Sequence, residues 1–205
     1  AQWYRKAAEK GLAKAQYNEI DGVGAWVYGV AFLINGPLTA KSGGRFTRLI
    51  GATGSMVMNV GMALAMQAAR ASEAGPERTA ELQGALLYLN AANMYFQSFG
   101  AVSIVKVNAP WFHVRERGVL GGLFGVLISL GLYFSYDWSL AIGKGLSWTW
   151  SFGVPAVVLC GCVAATALLV RNSPSDAGLG DFDTGDATSG QTEHVPIAAV
   201  LRKMF

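Results

Sequence analysis

The stretch YFQSFGAVSIVKVNAPWFHVRERGVLGGLFGVLISLG, Tyr95–Gly131, decides how the chain is read. It closes one apolar helix, turns through Arg115, Glu116 and Arg117, and opens a second apolar helix studded with glycine. Upstream, no charge interrupts Gly84–Val105, and Lys106 is the first to follow. Downstream, Gly118–Tyr136 is uncharged throughout. Each run is close to the ~20 residues required by a hydrocarbon layer about 30 Å thick. A helix lying against water would show a polar stripe every ~3.6 residues, and neither run does. The pair predicts a membrane hairpin.

Composition agrees. The 205 residues are 52% hydrophobic and 14% charged, with a mean hydropathy of +0.34. Soluble domains carry about 25% charged residues. Cys160 and Cys162 sit two residues apart in an apolar run, so on a helix they point apart and are expected to pack rather than to pair. His113 and His194 are too few and too isolated for a metal centre. With no nucleophile–base pair and no phosphate-cradling glycine loop, neither an enzyme, a cofactor nor a nucleic-acid partner is expected. The polar first twenty residues show no signal-peptide core.

Working outward from the hairpin gives an all-α membrane protein of about five transmembrane helices, over residues 22–38, 49–66, 84–106, 118–136 and 148–170. Residues 67–83 and 137–147 read as polar loops. Trp138, Trp148 and Trp150 mark one interface and Trp111 the other, where amphipathic rings settle. Lys41, Arg45 and Arg48 follow the first span, Arg115 and Arg117 the third, and Arg171 the fifth. Basic residues in short loops stay cytoplasmic, so these loops are expected inside and the N-terminus outside. Arg5, Lys6, Lys10 and Lys14 oppose that placement, which implies that a preceding helix is missing.

The two ends read differently. WYRKAAEKGLAKAQYN, Trp3–Asn18, resembles part of a Sel-one-like repeat, a soluble helical unit that needs neighbours to bury its face. Residues 1–19 are therefore expected to be a separate piece: a fusion scar, a mis-joined gene or an expression remnant, or else a working adaptor module. Residues 172–193 read as a flexible acidic linker. DFDTGD, Asp181–Asp186, lacks the residue order of a calcium loop. Residues 194–205 read as an amphipathic interfacial helix, with Ile197, Val200, Leu201 and Met204 on one side.

Four stretches, in order, resemble the N-terminal half of a major facilitator superfamily transporter, and within it the organophosphate:phosphate antiporters. YGVAFLINGPLTAKSGGR (Tyr28–Arg45) resembles the G-x-x-x-D-R-x-G-G-R turn after the second helix. FQSFGAVSIVKVNAPWFHVRERG (Phe96–Gly118) resembles the fourth helix and its W-x-x-x-x-E-R-G exit, and a glycine-rich fifth helix follows. RNSPSDAGL (Arg171–Leu179) resembles the tail after the sixth. The resemblance implies a partial half-bundle of family helices two to six, working by rocking against a second bundle around a midplane site. A chain holding only these helices is expected not to transport by itself. Its implied partners are the lipid bilayer of the cell membrane, the missing half or another membrane protein, and a small anionic solute.

The resemblance also suggests roles. Gly36, Lys41, Gly44 and Arg45, with Arg115, Glu116 and Arg117, would form the cytoplasmic gate turns, although Ala40 stands where the family has an acid. Lys106 matches a basic residue of the fourth helix and would act near the gate or substrate, or else snorkel to the headgroups. Asn90, Asn93 and Gln97 share a helical face and would line a polar cavity or bond between helices. Tyr28 would face the pore or anchor an interface. Gly118, Gly122, Gly125 and Ser129 make a small-residue stripe for close helix packing, within this bundle or across to the other half. Phe32 and Ile128 occupy the positions of the family's phosphate-binding lysine and histidine, so the substrate is not fixed by the resemblance.

Overall fold

The computed structural model describes residues 14–71 and 75–185. Five long helices make up almost all of it: α1 Lys14–Ser42, α2 Gly44–Ala71, α3 Pro76–Asn108, α4 Arg117–Gly145 and α5 Trp150–Leu169. No strand occurs among the described residues. Local chemistry sets the breaks. Gly43 adopts φ 84, a left-handed conformation that glycine enters without a Cβ penalty, and so separates α1 from α2. Gly75 caps α3 and Pro76 takes its first position, where the missing N–H costs nothing. Pro110 sits in a tight 3-10 turn, Ala109–Trp111, that ends α3.

The helices overrun the apolar stretches. α1 is continuous across Glu19, where a boundary was expected, and Gln16 and Gln83 are joined at 2.5 Å while Gln83 donates to Glu19 at 2.8 Å. Residues 15–19 thus belong to the first helix, and only 1–13 of the repeat-like piece lie outside the described residues. Helix also continues to Ala71 and resumes at Pro76, and α4 runs on to Gly145, through most of the two expected loops. Glu, Gln, Arg, Leu and Ala are strong helix formers, so nothing stops the backbone where the grease ends. The 29 residues of α1 reach about 43 Å, well beyond the apolar layer.

α3 lies between α1 and α2 and packs extensively on both, while α1 and α2 scarcely touch although they are consecutive. α2 packs on α5 with its other flank, and among the described residues the packing of α4 is mainly a light contact with α5. The order in space is therefore α1, α3, α2, α5, α4. Among the described residues, four helices are long and apolar enough to cross a membrane, namely α1, α2, α4 and α5. The fifth, α3, carries Glu77, Arg78, Glu81, Lys106, five amides and two serines. It can afford them because its neighbours screen it from lipid on two sides. Leu82, Leu86, Asn93, Ser98, Phe99, Ser103 and Val107 are all buried there.

Ile20, Met62, Leu82 and Leu86 form an apolar knot at one end, with Tyr17 and Phe152 packed against it. Trp26, Leu33, Val119 and Leu169 are each at least three-quarters exposed, as lipid-facing side chains should be. Cys160 and Cys162 are free, but both are exposed on α5 rather than packed, which corrects the sequence expectation. The expected flexible linker is also corrected over its first part: residues 172–185 fold back on the bundle, with Pro174 and Thr184 buried. The expected helix at 194–205 lies outside the described residues.

Candidate functional site

Two features could carry function: a buried polar seam inside the bundle and a cationic end formed by the turns. The seam begins on α1, whose buried positions Ile20, Gly24, Ala31, Asn35 and Thr39 recur at helical spacing along the face toward α3. At its centre Asn35, fully buried, donates through Nδ2 to Ser98 Oγ at 2.6 Å and to the Tyr95 carbonyl at 3.4 Å. Ser98 Oγ donates onward to the same carbonyl at 2.7 Å. Asn35 Oδ1, Thr39 Oγ1 and Asn93 Oδ1 are buried without a hydrogen-bond partner. Each such group costs about 1–3 kcal/mol of desolvation. The seam is neutral and oxygen-rich, suited to holding helices in register without placing a charge in the hydrocarbon.

On α2 the buried positions are Gly44, Thr47, Gly51, Ser55, Asn59 and Met62, a nearly unbroken small and polar stripe facing α3. A Cβ at Gly51 would lie 2.9 Å from the Phe96 carbonyl oxygen and 2.9 Å from Phe99 Cβ, so the two backbones touch there. At Gly44 the obstacles are Val107 and the Ser103 carbonyl. In lipid, where apolar burial gives little drive for association, this approach supplies the dispersion and weak polar contacts that hold helices together. Asn59 donates to the Ser55 carbonyl at 2.8 Å and Thr47 to the Gly43 carbonyl at 3.0 Å, so both satisfy themselves locally.

The residues expected to share a cavity on α3 are split. Asn90 donates to the Ile20 carbonyl at 3.2 Å and lies against Gly24, which makes it an α1–α3 tie. Asn93 is buried, whereas Gln97 is exposed. Because α3 is wedged between two helices, one arc of its surface meets different neighbours and the three amides are not brought together. Tyr28 is half-buried and stacks on Phe32 with ring centroids 6.4 Å apart. Lys106 is exposed in the last turn of α3.

Among the described residues the stripe Gly118, Gly122, Gly125 and Ser129 meets no other helix: nothing lies within 4 Å of a Cβ built at any of its three glycines, and Ser129 bonds back to the Gly125 carbonyl at 2.9 Å. α4 has no buried residue at all. The close packing expected of this stripe within the bundle is instead made by α2. The α2 signal is equally present in the sequence, since Gly44, Thr47, Gly51 and Ser55 have nearly the same spacing. Asn35, Thr39 and Ser98 are further members of the site that the sequence reading does not single out, although a polar pair four residues apart in an apolar helix is a signal for the first two.

At the cationic end, Gly36 is not in a turn but inside α1, one residue before Pro37. Gly43 alone makes the turn, and Gly44 is buried for close approach to α3. Lys41 is exposed. Arg45 turns inward, its Nη2 donating to the Ala167 carbonyl at 2.6 Å, where it meets the negative end of α5. In the second turn, Glu116 accepts from the His113 backbone N–H at 3.0 Å, Arg117 Nη2 donates to the Ala109 carbonyl at 2.9 Å, and Arg115 is exposed. Both turns and the segment after α5 meet at this one end.

Five long helices, an internal polar seam and lipid-exposed flanks define a multi-pass membrane protein. The family model described as Major Facilitator Superfamily matches residues 6–205, nearly the whole chain, and the chain belongs to that superfamily of membrane transporters. The match runs through residues 6–19 as well as the helices. No curated protein and no solved structure matched the chain.

Proposed function

We propose that the chain serves in a secondary transporter of the cell membrane that moves small organic anions, sugar phosphates among them, by alternating access. The described helices would rock as one body against a second membrane bundle. The observation that carries this reading is α4, a 29-residue apolar helix with no buried residue and a glycine-rich face left open. A helix of that kind suits a sliding contact with a partner bundle, since small residues allow close approach without fixed interdigitation. Lys106, exposed at the end of α3, is the cation placed to meet an anionic solute or a headgroup.

Counterflow in proteoliposomes holding the product of the intact gene tests this. Exchange of at least one organic anion above protein-free vesicles is expected, and Lys106→Ala should slow it. A second reading, a membrane sensor of sugar phosphates that binds without transporting, is favoured by Phe32 and Ile128, exposed apolar residues where the resembling antiporters hold phosphate. Binding without counterflow selects the sensor. Neither binding nor counterflow across a panel of organic anions and sugar phosphates overturns both.

A further inference from the structure

The segment after α5 makes contacts that a tether between bundles does not need. Asn172 Oδ1 accepts the Arg45 backbone N–H at 2.9 Å, and its amide sits 3.6 Å from the place a Cβ would take on Gly43. Arg45 also binds the last turn of α5, so the α1–α2 turn, the end of α5 and Asn172 form one joint. Twelve residues on, the Thr184 carbonyl accepts the Val114 backbone N–H at 2.8 Å, and Gly185, at φ 67, lies against the His113 ring. That is the α3–α4 turn.

Between the two joints the chain is folded rather than slack. Ser175–Ala177 forms a 3-10 turn that ends at Gly178 in the left-handed region. The Leu179 N–H closes onto the Pro174 carbonyl at 3.0 Å, and Asp181 Oδ1 accepts the Ser175 N–H at 3.0 Å. Pro174 and Thr184 are buried, which fixes the segment near each of its ends. A solvated linker would leave these groups to water.

We propose that residues 172–185 are a strap that fastens the α1–α2 turn, the end of α5 and the α3–α4 turn to one another, so that the cationic end moves as a single piece. The physical need is clear from the packing. Among the described helices α4 is the least anchored, in light contact with α5, so the bonds at the α3–α4 turn add a tie at its start that helix packing does not supply. The Asn172 and Arg45 side chains make one joint, and the Val114–Thr184 backbone hydrogen bond makes the other. The proposal is independent of which solute the carrier moves.

Hydrogen exchange on the full chain in lipid nanodiscs tests it. Residues 112–116 are expected to be protected despite lying in an irregular turn. Asn172→Ala removes the strap's hydrogen bond at one joint and should speed exchange about fivefold or more at residues 43–47 and also at 112–116, the size expected for one net hydrogen bond, while residues 89–99 of the seam stay unchanged. Free exchange at 112–116 in the parent chain, or a response confined to 43–47, overturns the strap. In membranes, and with Cys160→Ser and Cys162→Ser, the pair Val114→Cys and Thr184→Cys should form a disulfide that Gly75→Cys and Thr184→Cys do not. Equal cross-linking of the two pairs would overturn it independently, whatever the stability of the Asn172 variant.

Discussion

Gly51→Ala tests the packing of this bundle most directly. The added methyl would stand 2.9 Å from the Phe96 carbonyl oxygen and 2.9 Å from Phe99 Cβ. Neither obstacle is the free end of a flexible side chain, so rotamer change offers no escape and the helices themselves must part. Carbon atoms rest about 3.5–4.0 Å apart, and opening a gap of roughly 0.5–1 Å forfeits a quarter to a half of each dispersion well across the seam. Overpacking of this kind costs about 1–3 kcal/mol. The control is Gly125→Ala on α4, where nothing lies within 4 Å and alanine gains up to about 1 kcal/mol of helix propensity. Both variants are unfolded with SDS from mild-detergent micelles and followed by far-ultraviolet circular dichroism. Gly51→Ala should unfold at clearly lower SDS and Gly125→Ala at an equal or higher level. Equal tolerance of the two substitutions would refute the claim that α2, and not α4, supplies the close contact.

Thr39→Val replaces a fully buried hydroxyl that has no partner, so stability should hold or rise by up to about 1 kcal/mol; a clear loss in the same SDS titration would show that the hydroxyl is in fact bonded. Arg45→Ala removes the donor at the α5 terminus and should lower stability by about 1–2 kcal/mol, with partial recovery in Arg45→Lys, read as the thermal midpoint in detergent. Cysteines placed at exposed Lys41 and Arg115 should react with an impermeant thiol reagent from the same side of the membrane, and a cysteine at Gly75 from the other; labelling of Lys41→Cys and Arg115→Cys from opposite faces would break the topology.

Among the described residues, four of the five long helices are legible as spans in the residues alone, because crossing a bilayer is a local demand: about 20 apolar residues suffice to announce one. Tyr95–Gly131 announces one of them in α4, while α3 passes as a helix screened by its neighbours, and the turns that carry Lys41–Arg48, Arg115–Arg117 and Arg171 meet at one end. Helix ends are less legible. Hydropathy falls off at the membrane surface, whereas backbone hydrogen bonding continues until a Gly43 or a Pro110 intervenes. The candidate site is legible only in part. Asn90 and Asn93 stand out as amides in an apolar helix but without their partners, while Asn35 and Ser98, which bond to each other, are 63 residues apart and share no local pattern.

The sequence by itself determined the all-helical membrane class and the superfamily. The tertiary structure decided which face of each helix is inside. Lipid and helix interior are alike to a leucine, so hydropathy carries no record of which way a side chain points. Two small-residue stripes of similar spacing stand on α2 and α4, and only the first has a backbone laid against it. Which of them closes depends on Phe96 and Phe99, some 45 residues along the chain from Gly51, and no local pattern encodes that meeting.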